Sequence, residues 1–178
     1  MWRCLLSRGL DLLYPATCAL CGEPLSGGRG LCGECSAGLP RLSPPFCDCC
    51  AQPFEGRLAR DFDCPNCARQ TPAYDFARPA LRRDPRALEL IHRLKYGRQL
   101  HLGEELGRLA AEAFADPRMI QARQEGWALV AVPLHRRRLG TRHFNQSAEI
   151  ARCLARVTGL KQVAALRRRR GTGTQTAL

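Results

Sequence analysis

Aromatic residues make up only 6% of this 178-residue chain, and methionine and tryptophan occur twice each. Lysine is almost missing: Lys95 and Lys161 are the only two, so arginine carries the positive charge. Phe144 is the one aromatic residue that stands among the arginine runs, so the local sequence shows no stacking platform for single-stranded bases. Long apolar runs are absent as well. The opening Met1-Trp2-Arg3-Cys4-Leu5-Leu6 is soon broken by Ser7, Arg8 and Asp11. It offers neither a signal peptide's apolar stretch nor a span of roughly 20 apolar residues. A cytoplasmic protein with reduced thiols and no transmembrane segment is expected. Acidic residues thin out too, and after Gln146 only Glu149 remains.

What the chain does have is cysteine, 11 in all. Eight form four Cys-x-x-Cys pairs, Cys18/Cys21, Cys32/Cys35, Cys47/Cys50 and Cys64/Cys67, with 10, 11 and 13 residues between successive pairs. Two residues between thiols suit a tight knuckle that points both sulfurs at one ion about 2.3 Å away. Eight such thiols close two tetrahedral four-sulfur sites, the chemistry that structural zinc asks for. Gly22, Gly33 and the Pro65-Asn66 pair supply turn formers at three of the knuckles. Cys4, Cys49 and Cys153 are left over, and an odd total suits full disulfide pairing poorly. The pairing order stays open: sequential closure has shorter loops, but the entropy of closure depends only logarithmically on length. Cys49 is able to stand in for a neighbour, although the two-residue spacing favours Cys47 and Cys50. Large apolar residues are few between Cys18 and Cys67, so metal binding is expected to supply the folding energy of this segment.

Charge divides the chain. Residues 1–77 hold seven arginines and eight acids, a net −1, whereas residues 78–178 hold 21 basic and eight acidic residues, a net +13. Two Zn²⁺ ions, each held by four thiolates, would move the first part to about −5. The basic residues of the second part cluster at Arg136-Arg137-Arg138, at Arg142-His143 and at Arg167 to Arg170. Runs of this kind attract phosphate, in a polynucleotide or in a phosphorylated small molecule.

The expected organisation is a short apolar helix over residues 4–13 within an N-terminal segment 1–17, a double zinc-binding module over 18–67, a connection over 68–83 and an α/β domain over 84–178. Asp84-Pro85 reads as a helix start, with Leu88, Ile91 and Leu94 or Lys95 along one side and Gly97 as the stop. A second helix is expected from Leu102 to Ala115, with Leu102, Leu106, Leu109 or Ala110, Ala113 and Phe114 inward. Ala128 to Val132 reads as a buried strand ended by Pro133. A further helix starts at Asn145 and turns Ile150, Ala151, Leu154 and Val157 inward until Gly159, and a strand follows at Gln162 to Leu166. One or two strands are too few to close a sheet, so the domain reads as incomplete.

Residues 133–146 read as a loop beyond the end of the clearest strand, where open α/β sheets hold their ligands. Arg136, Arg137, Arg138 and Arg142 would fork onto phosphate oxygens, and Asn145 with the amides of the following helix would add donors. His135 is a weak candidate for a base because no acid in the sequence pairs with it. No catalytic residue is assigned. Phe144 reads as a core anchor.

At these residues the chain resembles the ComF/GntX family of bacterial phosphoribosyltransferase-like proteins. The resemblance rests on Leu12-Leu13-Tyr14-Pro15 before the cysteine array, on Leu39-Pro40 within it, on Leu94-Lys95-Tyr96-Gly97, and on Val132-Pro133-Leu134-His135, Arg142-His143-Phe144-Asn145-Gln146 and Thr174-Gln175. It implies a type I phosphoribosyltransferase-like domain behind a double zinc-ribbon-like module. It also makes residues 133–146 the loop that would hold pyrophosphate, with Arg142 the closest match to the family's arginine. His143 stands where the family has glycine. The family's later strand with paired aspartates and a threonine-rich loop has no counterpart before Leu178, so Mg²⁺ and phosphoribosyl pyrophosphate are expected only where a full transferase domain is present.

Three functions follow as expectations. The first is a protein with two structural Zn²⁺ ions, implied by the resemblance to act in DNA uptake and transformation and to bind single-stranded DNA through its basic half, with DNA-uptake or recombination proteins as possible partners. The second is a phosphoribosyltransferase, and the third is a zinc-ribbon adaptor for other proteins.

Overall fold

The computed structural model describes residues 15–28, 30–56, 64–70 and 72–172. The expected helix over residues 4–13 and the Thr174-Gln175 signature lie outside this set.

The cysteine segment folds as two similar ribbons, each made of a knuckle followed by a short helix. In the first, Gly22 N donates to Cys18 O and Cys18 N to Glu23 O, closing a tight turn around the first pair. The second repeats this with Ala51 N to Cys47 O and Cys47 N to Gln52 O. The residue after each knuckle takes positive φ, 80° at Gly22 and 59° at Ala51. The other two pairs do not sit in knuckles, as the two-residue spacing had suggested. They lie on the first turns of helices α1 (Gly33–Ala37) and α2 (Pro65–Arg69), with Cys32 and Cys64 as the N-terminal caps. A spacing of three residues brings two side chains to one face of a helical turn as readily as to one side of a knuckle.

Helix α3 (Pro85–Tyr96) begins as expected, its first free amide capped by the Asp84 carboxylate, and it ends at Gly97. Its buried face is Ala87, Leu90 and Leu94, with Leu88 and Ile91 only half-buried beside it. Helix α4 (Leu102–Ala111) tightens into a 3-10 turn over Glu112–Ala115. A helix not anticipated from the sequence follows, α5 (Pro117–Gln124), capped by Asp116. The Asp116-Pro117 pair therefore starts a helix as well as closing one, which is the role of a capping aspartate followed by proline.

Strand β1 (Ala128–Val130) pairs in parallel with β2 (Lys161–Val163), Leu129 standing opposite Gln162. Both strands are shorter than expected. The first is not buried: Val130 is 39% exposed and Val132 just beyond it is 64% exposed. Apolar composition marks what a strand is able to bury, and among the described residues β2 is its only strand neighbour. The chain between the strands is not a plain loop. It contains helix α6 (Arg136–Arg142) and then α7 (Gln146–Thr158), capped by Asn145. On α7 the buried side chains are Ala151, Cys153 and Thr158, while Val157 faces solvent instead of the core.

The core joins the first ribbon to the helices: Ala19 and Leu39 from the ribbon pack with Ala87, Leu90 and Leu94 of α3 and Leu102, Leu106 and Leu109 of α4. Leu90, Leu94 and Leu102 are fully buried, each contributing about 1.5–3 kcal/mol relative to exposure. The cysteine segment is therefore seated on a core as well as on its metal sites. Phe144 packs against this core, as expected. Gly30 has φ 141°, which favours glycine, and a Cβ there would press on the Glu105 side chain of α4, 3.0 Å from its Oε2.

The second ribbon is attached by charge. The Arg78 side chain, 4% exposed, pairs with Asp116 at the start of α5 and with Asp48 inside the knuckle, the latter at 3.3 Å. Its guanidinium lies 4.7 Å from the Phe46 ring centre, and Arg118 stands 4.3 Å from that of Phe76. Arg118 also donates to the Asp48 carbonyl at 3.1 Å. A buried pair with this many partners fixes register; whether it adds net stability depends on what replaces it.

Candidate metal centres and basic face

The eight thiols of the four pairs gather into two quartets, Cys18, Cys21, Cys32 and Cys35 in one and Cys47, Cys50, Cys64 and Cys67 in the other, with sulfurs within 4.8 Å of one another. The grouping is the sequential one. Bonds of about 2.3 Å in a tetrahedron imply sulfurs about 3.8 Å apart along each edge. Cys21 Sγ lies 3.8 Å from Cys32 Sγ, and Cys50 Sγ lies 3.7 Å from Cys64 Sγ. The donor set fits Zn²⁺ in number, kind and spacing, and a closed set of four thiolates gives the ion a structural role. Backbone amides point at the sulfurs: Leu20 N at Cys18, Cys35 N at Cys32 and Cys64 N at Cys47, at 3.3–3.5 Å.

These contacts divide the thiols. Burial pushes the Cys18 thiol up, but amides from Cys21, Cys32 and Leu20 outweigh it and bring it down to about 6. Cys47 is likewise brought down to about 7 against its burial. Cys35 is pushed up to about 12, chiefly by its hydrogen bond with Cys32, and Cys67 is raised by burial and by the thiols around it. Cys18 and Cys47 are thus the favoured thiolates, and they oppose ionisation of Cys35 and Cys67 respectively. A divalent cation is the group that lets all four ionise together. Cys49 stays outside the second quartet, its carbonyl accepting from Ala77 N at 2.7 Å. Cys153, the other spare thiol within the described residues, is buried in the helical core and bonds the Glu104 carbonyl at 3.1 Å.

The basic residues of 136–142 lie on α6. His135 caps this helix, its Nδ1 accepting from Arg137 N at 3.4 Å, so it is held in a structural bond. The Asn145 amide oxygen accepts from Ser147 N and its NH₂ donates to the Val132 carbonyl at 3.0 Å. Those bonds hold Asn145 as a cap and strand clamp. Among the described residues no carboxylate forms an ion pair with Arg136, Arg137 or Arg142. Several arginines elsewhere are held: Arg41 by Glu112, Arg93 by Glu89, Arg108 by Glu104 and Glu105, and Arg152 by Glu149.

The second arginine run folds back to this helix. Arg138 donates to the Thr172 carbonyl at 2.7 Å, Arg168 bonds the Thr172 hydroxyl, and Gly171 packs on the His135 ring. Thr172 thereby brings Arg138 of the first run and Arg168 of the second to one residue. Arg142 reaches the other way, its guanidinium 4.9 Å from the Tyr96 ring centre. Arg98, just past α3, donates to the Thr141 carbonyl of α6 at 3.5 Å. Reading along the chain missed Tyr96 and Arg98 as neighbours of Arg142, because 43 residues separate Arg98 from its partner.

Two closed four-cysteine clusters on paired ribbons define a double zinc ribbon protein, and residues 9–68 match the family described as double zinc ribbon domain. The chain belongs to the family of the DNA utilization protein YhgH. It is 30% identical over 166 residues to that protein from Escherichia coli (strain K12), a match that covers 92% of this chain and 71% of the relative. The proteins of the same name from Shigella flexneri and Escherichia coli O157:H7 match with the same identity and coverage. No solved structure matches. Among the described residues no helix is long and apolar enough to cross a membrane.

Proposed function

We propose that this protein is a DNA-handling factor that binds single-stranded DNA along the surface of α6 and residues 167–172, with two structural Zn²⁺ ions holding its N-terminal ribbons. The approach of the two arginine runs through Thr172, with Arg136, Arg137 and Arg142 of α6 having no carboxylate partner among the described residues, carries this reading. Arginines without acidic partners keep their full attraction for phosphate, whereas a paired arginine must first give up its carboxylate. The name of the relatives, DNA utilization protein, supports the same reading. The zinc ions take no part in binding; Cys18, Cys21, Cys32 and Cys35, and Cys47, Cys50, Cys64 and Cys67, hold them closed.

Binding of a fluorescently labelled oligothymidylate across a salt series tests the reading. Replacing Arg136 and Arg137 with alanine is expected to weaken binding and to lower the slope of log K against log [salt] by about 1–2, because each lost phosphate contact removes one counterion released. Equal affinity and equal slope in the parent and the double variant would overturn it.

A further inference from the structure

The sequence shows no aromatic stacking platform among the arginines, yet the fold brings the Tyr96 ring against Arg142. Tyr96 ends α3 and is 58% exposed. It is held in place on two sides. The Arg142 guanidinium stands 4.9 Å from the ring centre, and His92, one turn back on α3, meets the ring edge-on with centres 5.9 Å apart. Arg98 follows two residues later at positive φ, 54°, and reaches the Thr141 carbonyl, which fastens this corner to the end of α6. An exposed ring held rigid by a cation, with further cations beside it, is what a nucleobase needs from a binding surface: a π-face to stack on and positive charge for the adjoining phosphates.

We propose that Tyr96 is a base-stacking residue for single-stranded nucleic acid. In this arrangement Arg142 orients the ring, and Arg98 and Arg142 face the phosphates on either side of the stacked base. The proposal deepens the proposed function above and rests on it, and it assigns the site a property that the arginines alone do not give. Arginine contacts to phosphate are indifferent to whether bases are present or paired. A tyrosine that stacks a base requires that base to be present and free of a duplex. The surface would therefore prefer single strands to duplex DNA.

The test uses the full chain with its zinc and three probes of equal length: an oligothymidylate, the same sugar-phosphate backbone carrying abasic sites, and a duplex. Tyr96→Ala is expected to weaken oligothymidylate binding about 5- to 150-fold, the range of one lost stacking contact, with little effect on the abasic and duplex probes. The salt slope should stay as in the parent, since no charge is removed. Tyr96→Phe should bind like the parent, and unchanged zinc content and thermal melting of both variants would show that the fold is kept. If Tyr96→Ala binds oligothymidylate like the parent while Arg136/Arg137→Ala is weakened, stacking is overturned and the DNA reading stands. A loss as large on the abasic or duplex probe as on oligothymidylate also overturns stacking. If the parent itself binds no oligothymidylate at low salt, both readings fall together.

Discussion

Gly107 of α4 lies directly against Cys153 of α7: a Cβ on the glycine would stand 2.9 Å from Cys153 Sγ and 3.0 Å from the Ile150 carbonyl oxygen. One turn away, Gly103 meets Glu149 in the same manner, its Cβ position 2.9 Å from that of Glu149. The two glycines let the helices approach almost backbone to backbone, and the Cys153 thiol uses the closeness to reach the Glu104 carbonyl. This crossing ties α7, and α6 just before it, to the helices that carry the core.

Gly107→Ala should therefore destabilise the protein by about 1–3 kcal/mol, the usual cost of forcing atoms into a filled interior. Removing the opposing side chain with Cys153→Gly should recover part of that loss in the double variant, although each glycine also costs helix propensity. Urea denaturation of the two single variants and the double variant gives the coupling. Simple additivity would show that the two positions do not compete for space.

Metal analysis of protein purified without added zinc should give two equivalents per chain. Cys18→Ala should cost the first ribbon its fold and raise its sensitivity to limited proteolysis, because the metal links segments that share few apolar contacts of their own. Thiols pushed up, such as Cys35 at about 12, carry protons at neutral pH without metal and must release them to become ligands. Zinc affinity should accordingly rise with pH and zinc should be lost on acidification, which a chelator competition across pH 5.5–8 would read. A flat profile would speak against thiolate ligation.

Asp116→Ala removes at once a partner of the buried Arg78 and the cap of α5. Asp48 remains as the second carboxylate, so the expected loss is about 3 kcal/mol, the low end for breaking a buried ion pair. Arg78→Met leaves the Asp116 and Asp48 carboxylates facing only Arg118, so it should cost at least as much as Asp116→Ala. The opposite order in chemical denaturation would mean that Arg78 is solvated in solution.

Arginines that already have carboxylate partners provide the contrast for the DNA surface. Arg93→Ala and Arg152→Ala remove charges that Glu89 and Glu149 largely neutralise. Each should change the salt dependence of oligothymidylate binding less than Arg136→Ala or Arg137→Ala does. Equal effects from all four would show a general field of positive charge instead of a defined surface.

The eight cysteines of the metal clusters and the boundaries of α3, α4 and α7 were legible in the sequence because both are set by local geometry. Two residues between cysteines place paired sulfurs within reach of one ion whether the backbone is a knuckle or a helical turn. Aspartate before proline at 84–85 and asparagine at 145 cap helices through bonds to amides two residues away. The same signal at Asp116-Pro117 both closes one helix and starts α5, two roles that local geometry alone does not distinguish. Burial along β1 was misjudged because an apolar run does not say which neighbours will cover it.

The sequence by itself determined the eight ligands, the capped helices and the concentration of charge in the second part. Only the tertiary structure decided the grouping of the thiols, the burial of Arg78 between Asp48 and Asp116, the meeting of the two arginine runs at Thr172, and the placing of Tyr96 under Arg142. Capping bonds and paired thiols act across two or three residues, where the chain's own covalent geometry fixes the distance. The other contacts join residues dozens of positions apart, and their distances are set only when the helices have packed and the entropy of closing those loops has been offset by the core.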